Sequence, residues 1–217
     1  MDFKKDFPIF KNNNEKYPLI YFDNASTTQK PECVINSISH FYSHYNANVH
    51  RGNYKIAEKA TLEFENSRQT IANFINAEKD EIIFTTGTTE SINLIAYSFA
   101  SFLEDKDEII ISEMEHHSNI LPWQMIKEKK NIKIRYIPVN EDGQLDINQL
   151  ESLINKKTKL CSIISMSNIL GTINDLNKIS KLTNKYNIPL LVDAAQSIAH
   201  EKIDVKKINC DFLVFSG

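Results

Sequence analysis

Glycine is scarce in this chain, with 5 in 217 residues, and cysteine scarcer, with 3. Cys33, Cys161 and Cys210 stand far apart, odd in number and without a CxxC pair. That argues against a disulfide framework and a zinc site, and fits a reducing cytosol. No apolar run approaches the roughly 18–20 residues a membrane span needs. Positive charge is not in excess: the net charge is −3, which gives no electrostatic case for nucleic acid. The opening Met1-Asp2-Phe3-Lys4-Lys5-Asp6 carries acids and no apolar core, so no secretory signal is expected.

What is present is ordinary for a globular domain with a real core: 41% hydrophobic and 24% charged residues. Asn, Ile and Lys are over-used, yet apolar periodicity persists, so this is compositional drift and not disorder. Residues 1–20 read as a polar, irregular segment with Asn12-Asn13-Asn14 as an exposed loop. Residues 21–217 read as one domain without internal repeat or interdomain linker.

Helical spacing recurs at Val34, Ile38, Phe41 and Tyr45, and at Ala57, Ala60, Phe64, Ser67, Ile71 and Phe74. Strand and helix then alternate. Strands are expected over Glu81–Thr86, Glu108–Ser112, Lys133–Val139, Lys159–Asn168, Leu190–Asp193 and Phe212–Phe215. Helices are expected around Ile92–Phe99, Trp123–Lys130, Ile147–Ile154 and Leu176–Tyr186. Apolar strands alternating with helices predict an α/β fold, a mostly parallel sheet covered on both faces. Ligands bind beyond the C-terminal strand ends of such sheets, so the residues just after each strand matter most.

Four stretches there carry chemistry. Thr85-Thr86-Gly87-Thr88-Thr89-Glu90 joins a strand to a helix: free N–H groups and hydroxyls make either a phosphate cradle or a simple N-cap. Glu115-His116-His117-Ser118-Asn119 follows a strand; adjacent imidazoles point different ways, so stacking on a planar ligand or plain loop polarity fits better than a metal. Asp193 ends a buried strand, where a carboxylate needs a cation, several donors or an N-capping role. Gln196, three residues on, is either a capping partner or a second contact to the same ligand. His50-Arg51-Gly52 is a cationic turn between helices that plain solvated surface would equally explain, and Cys161 is a core thiol.

Together these motifs resemble the cysteine desulfurases, the SufS-like group of the class V aminotransferase family of fold-type I pyridoxal-phosphate enzymes. The matching phrases include Tyr21-Phe22-Asp23-Asn24-Ala25, Val49-His50-Arg51-Gly52, Gly87-Thr88-Thr89-Glu90-Ser91, Met114-Glu115-His116-His117-Ser118-Asn119, Pro122-Trp123-Gln124, Ser167-Asn168-Ile169-Leu170-Gly171-Thr172, Val192-Asp193-Ala194-Ala195-Gln196 and Asp211-Phe212-Leu213-Val214-Phe215-Ser216-Gly217. They run in the family's order over nearly the whole chain.

The resemblance implies a fold-type I transferase large domain over 21–217, incomplete at its C-terminus, with pyridoxal 5′-phosphate as cofactor. It implies that Asp193 pairs with the pyridinium nitrogen, His116 stacks on the ring, and Gln196 bonds the phenolic oxygen with Asn168 nearby. Thr88, Thr89 and Ser216 hold the phosphate, Ala25 and His50 lie near the substrate, and no metal takes part. In the family Ser-Gly is followed at once by His-Lys. That Schiff-base lysine and the persulfide-forming cysteine have no counterpart among these residues, so no catalytic residue is named, and Cys33, Cys161 and Cys210 do not match the catalytic cysteine.

The resemblance implies that L-cysteine is converted to L-alanine and the sulfur passed as a persulfide to an acceptor protein for iron–sulfur cluster assembly. It implies a cytoplasmic homodimer with no nucleic-acid or membrane partner. Selenocysteine lyase or another class V reaction is the enzymatic alternative. A non-catalytic remnant is the alternative of another class, from a fragment of a longer product or a decayed gene. A further strand, after the lysine, is expected to run antiparallel between Glu81–Thr86 and Phe212–Phe215.

Overall fold

The structure, a computed structural model, describes residues 3–11 and 16–217; the Asn12-Asn13-Asn14 loop lies outside them. The chain divides into two compact units, residues 1–71 and 72–217, with the division inside one long helix.

In the first unit, the 1–20 segment holds a 3-10 turn, Phe3–Asp6, and a one-turn helix α1, Pro8–Lys11. Helix α2 spans Glu32–His44. Pro31 presets its start: the Pro31 carbonyl accepts from Val34 and Ile35 N–H at 3.0 and 3.2 Å. Glu32 lies in the first turn and His44 in the last, both signs suited to the helix dipole. No residue of α2 is buried, although its apolar spacing is clear. Helix α3, Lys55–Ile75, buries Ala57 and Ala60.

The second unit is built on five parallel strands in the order β2-β1-β3-β4-β5. These are β1 Glu108–Ser112, β2 Lys133–Ile137, β3 Thr158–Ile164, β4 Leu190–Asp193 and β5 Phe212–Val214. Alternate strand residues feed two separate cores. Ile110, Cys161, Ile163, Leu190 and Val192 meet α6 (Ile147–Leu153), α7 (Leu176–Lys185) and α8 (Val205–Ile208) through Leu150, Ile179 and Ile208. Ile109, Ile111, Leu160, Leu191 and Val214 meet α4 (Thr88–Phe99) and α5 (Leu121–Lys129) through Ile92, Ala96, Trp123 and Ile126. Burial on both faces is why these strands read as continuous apolar runs. Asp146, Asp175 and Asp204 cap α6, α7 and α8 by accepting N–H bonds from Asn148, Lys178 and Lys207.

Three strand expectations are corrected. Glu81–Thr86 is not a strand. Glu81 closes a 3-10 turn, its carboxylate taking the Glu78 N–H at 2.7 Å, and residues 82–85 run on without a ladder. An extended segment becomes a strand only against a neighbour. Among the described residues β5 pairs with β4 alone, and none fills the place of the expected antiparallel strand. Ile83 is accordingly 73% exposed. The second strand stops at Ile137, because Pro138 has no N–H to donate. The third stops at Ile164, four residues short of Asn168: Met166 bridges back to Ile173, and Gly171, at φ 70°, closes the turn between them.

Candidate functional site

Strand order reverses at β1, which has β2 on one side and β3 on the other. A sheet of this type opens a crevice beyond the strand ends at that reversal. The turn after β1 carries His116, and the end of β4 carries Asp193.

Asp193 is 1% exposed. Its neighbours in the ladder are Ile164 of β3 and Val214 of β5. Its Oδ1 accepts the Ala195 N–H at 3.0 Å, a local turn of the capping kind. Burial pushes its carboxyl above the usual range, while that N–H and the nearby His116 pull it back. His116 is exposed, and its Nδ1 accepts from the Ser118 N–H at 3.3 Å and meets the Ser118 hydroxyl at 2.8 Å. In neutral imidazole that places the remaining proton on Nε2. The His116 and His117 rings meet edge to face, 6.0 Å apart and tilted by 72°.

Two residues past β5, Ser216 reaches the start of α4. Thr88 N–H donates to Ser216 Oγ at 3.3 Å, and the Thr88 hydroxyl lies 3.1 Å from it. Gly87 before them has φ 149° and ψ 178°, a region closed to residues with a Cβ. The turn makes some of its own bonds: Thr86 N–H and hydroxyl bond Glu90, and the Thr85 hydroxyl bonds Ser91 and the Gly87 carbonyl. Thr88, 128 residues from Ser216 in sequence, thus shares with it a small pair of hydroxyls at a helix N-terminus.

Residues 20–217 match the Aminotransferase class-V family. The chain belongs to the class V aminotransferases. It is 52% identical over 99% of its length to a probable cysteine desulfurase of Borreliella burgdorferi, covering 51% of that protein. It is 47% identical over its full length to a cysteine desulfurase of Wigglesworthia glossinidia brevipalpis, covering 53% of it. Among solved structures, the apo cysteine desulfurase of Thermococcus onnurineus superposes with a TM-score of 0.92 at 38% identity, over 99% of this chain and 52% of that one. The parallel sheet is therefore that of fold-type I pyridoxal-phosphate enzymes, and the chain spans about half the length of the relatives it matches.

Within this class V domain the other expected residues fall as follows. Thr89, in the first turn of α4, is exposed. Asn168 lies in the turn after β3 and Gln196 in the turn after β4, both half-buried. Ala25 and His50 belong to the first unit: Ala25 is exposed in the turn of residues 24–26, and His50, at φ 72°, meets Glu65 Oε1 through Nε2 at 3.0 Å. Burial pushes the Cys161 thiol far up and that of Cys210 to about 11, which leaves both inert at neutral pH.

One residue of the site has no role in the sequence reading. Glu115, beside His116, turns its carboxyl into the protein, and burial pushes it up to about 7. The signal was available, since an acid closely following the apolar run Ile109-Ile110-Ile111 raises the question already asked of Asp193.

The residues present fit pyridoxal phosphate. A buried carboxyl needs a positive partner, the His116 imidazole lies near enough to act on it, and the helix start pairs hydroxyls where a Cβ on Gly87 would come within 3.4 Å of Ser216 Oγ.

Proposed function

We propose that these 217 residues are the cofactor-holding part of a cysteine desulfurase. The observation that carries the reading is Asp193: a carboxyl buried at a strand end beside an imidazole. The Thr88–Ser216 pair supports it. The relatives are named cysteine desulfurases, and the reaction we propose is conversion of L-cysteine to L-alanine with transfer of the sulfur.

Bound pyridoxal phosphate would supply an electron sink for the amino-acid substrate. Asp193 would hold a positive charge at the ring nitrogen, the charge its burial calls for. His116 would lay its imidazole against the ring, and Gln196, with Asn168 nearby, would bond the phenolic oxygen. Thr88, Thr89 and Ser216 would receive the phosphate at the N-terminus of α4, where the helix dipole favours an anion. Ala25 and His50 belong to the substrate end of this reading. The lysine that moves the α-proton and the cysteine that takes up sulfur follow Ser-Gly in the family. We infer for the whole protein a cytoplasmic homodimer that passes its sulfur to an acceptor protein of iron–sulfur cluster assembly.

Titration of the chain with pyridoxal phosphate, read by quenching of its single tryptophan, tests the reading. Saturable binding is expected, weakened about 10–100-fold in Asp193→Asn, the equivalent of one charge-assisted bond. Equal affinity in the variant would defeat it. With L-cysteine added, sustained sulfide release is not expected from these residues alone, because the proton-moving lysine is not among them.

A further inference from the structure

The Glu115 side chain ties three parts of this site together. The residue is 8% exposed. Its Oε1 accepts the Ser112 hydroxyl at 2.5 Å and the Ile164 N–H at 2.8 Å, and its Oε2 accepts the Asn119 amide at 2.7 Å. Asn119 Oδ1 then accepts the Trp123 indole N–H at 3.1 Å and the Ser162 hydroxyl at 2.6 Å. One carboxyl therefore links the end of β1, strand β3, the turn after β1 and helix α5. Both ends of the site attach to it. The next residue is His116, whose carbonyl accepts the Asn119 N–H at 2.8 Å. Ile164, which donates to Glu115, is the ladder partner of Asp193.

We propose that Glu115 is a positioning residue of the cofactor site: it seats the His116 turn on the strand ends and shares its charge state with Asp193. The proposal rests on reading Asp193 and His116 as cofactor-binding. The ionisable groups coupled to this carboxyl are Asp193 from β4 and Cys161 from β3, while His116 acts on Asp193. Burial raises the Glu115 carboxyl most, its three donors oppose the rise, and the Asp193 carboxylate adds to it, to about 7. With its midpoint raised to about 7, Glu115 holds a proton below neutrality, and the Asp193 carboxylate is one of the charges that raise it. Of the three partners only the Ser112 hydroxyl can accept a proton back, so the neutral acid stays bonded after one hydroxyl rotation. A cation held by Asp193 cancels the field that Glu115 feels. Its midpoint then falls, and the proton leaves for solvent water as the cofactor binds.

Trp123 reports on this network directly: it is the only tryptophan, fully buried, and bonded to Asn119. A pH titration of its emission is expected to show a transition near 7. Glu115→Gln should abolish the transition and His117→Gln should retain it. In Asp193→Asn the midpoint should fall by on the order of half a pH unit, because a like charge has gone. A Glu115 that merely braces the fold would not notice that change, so an unmoved midpoint, or no transition in the parent chain, overturns the proposal. Carboxyl-carbon NMR of glutamate-labelled chain follows the same titration with Glu115 intact, should the Glu115→Gln chain not fold. Saturating pyridoxal phosphate should lower the midpoint further in the parent chain. If the cofactor does not bind at all, the cofactor reading fails, whereas the Glu115–Asp193 coupling is judged by the Asp193→Asn titration alone.

Discussion

Asp193 and Glu115 meet the same physics from two directions. Both are carboxyls taken out of water at strand ends, and in both burial is the largest influence, raising the pKa. At Asp193 one backbone donor and a nearby imidazole oppose that rise; Glu115 has three donors yet is raised to about 7. Gly87 shows the complementary constraint on the backbone. At φ 149° and ψ 178° a side chain is strained whatever the space around it. Gly87→Ala is expected to lower stability by about 1–3 kcal/mol. Urea denaturation checks this, and a neutral result would mean that the turn relaxes freely.

Elements differ in how firmly they are held. Strands β1, β3 and β4 each have a neighbour on both sides, whereas β2 and β5 are paired on one side among the described residues. Hydrogen exchange should therefore be slowest at the amides of β1, β3 and β4, and faster in the three-residue β5. Joining α5 to the sheet depends on Asn119. Asn119→Ala would leave the Trp123 N–H, the Ser162 hydroxyl and one Glu115 oxygen without this partner. At about 1–3 kcal/mol for each unsatisfied buried group, the loss should reach several kcal/mol. Ser162→Ala removes one donor only and should cost about 1 kcal/mol. Equal losses in the two denaturation curves would contradict the network.

For the whole molecule the Glu115 proton sets a pH dependence of defined sign. An unfolded glutamate titrates near 4.3, and in the fold the midpoint is raised to about 7. Between those values the fold binds the proton more tightly than the unfolded chain. The contribution is thus full below the unfolded value and is lost as pH rises through the folded one. It is on the order of 3 kcal/mol, and Asp193, also raised, acts in the same direction. Unfolding free energies from urea curves at pH 5 and pH 8 should differ by about this amount in the parent chain and by much less in Glu115→Gln. A parent chain more stable at the higher pH would refute the assignment of the proton. Exposed apolar side chains such as Ile83, Tyr97 and Phe102 also predict concentration-dependent association, which sedimentation velocity would detect.

Sequence alone determined the strands that became the sheet, because Ile109-Ile110-Ile111 and Leu190-Leu191-Val192 must be buried on both faces wherever they lie. It also picked out Asp193, since a carboxylate ending such a run is tolerated only where a cation or hydrogen-bond donors meet it. It grouped Thr88 with Ser216 only through the family resemblance, and it could not deliver the pairing of Glu115 with Ile164, which are distant in sequence and meet only when the strands align. Nor could it tell that Glu81–Thr86 stays unpaired, because strand propensity is local and the hydrogen bonds that make a strand belong to its neighbour. Chemistry at a strand end was thus legible residue by residue. Which ends face one another, and how far burial raises the Glu115 carboxyl, was decided by strand order and burial in three dimensions.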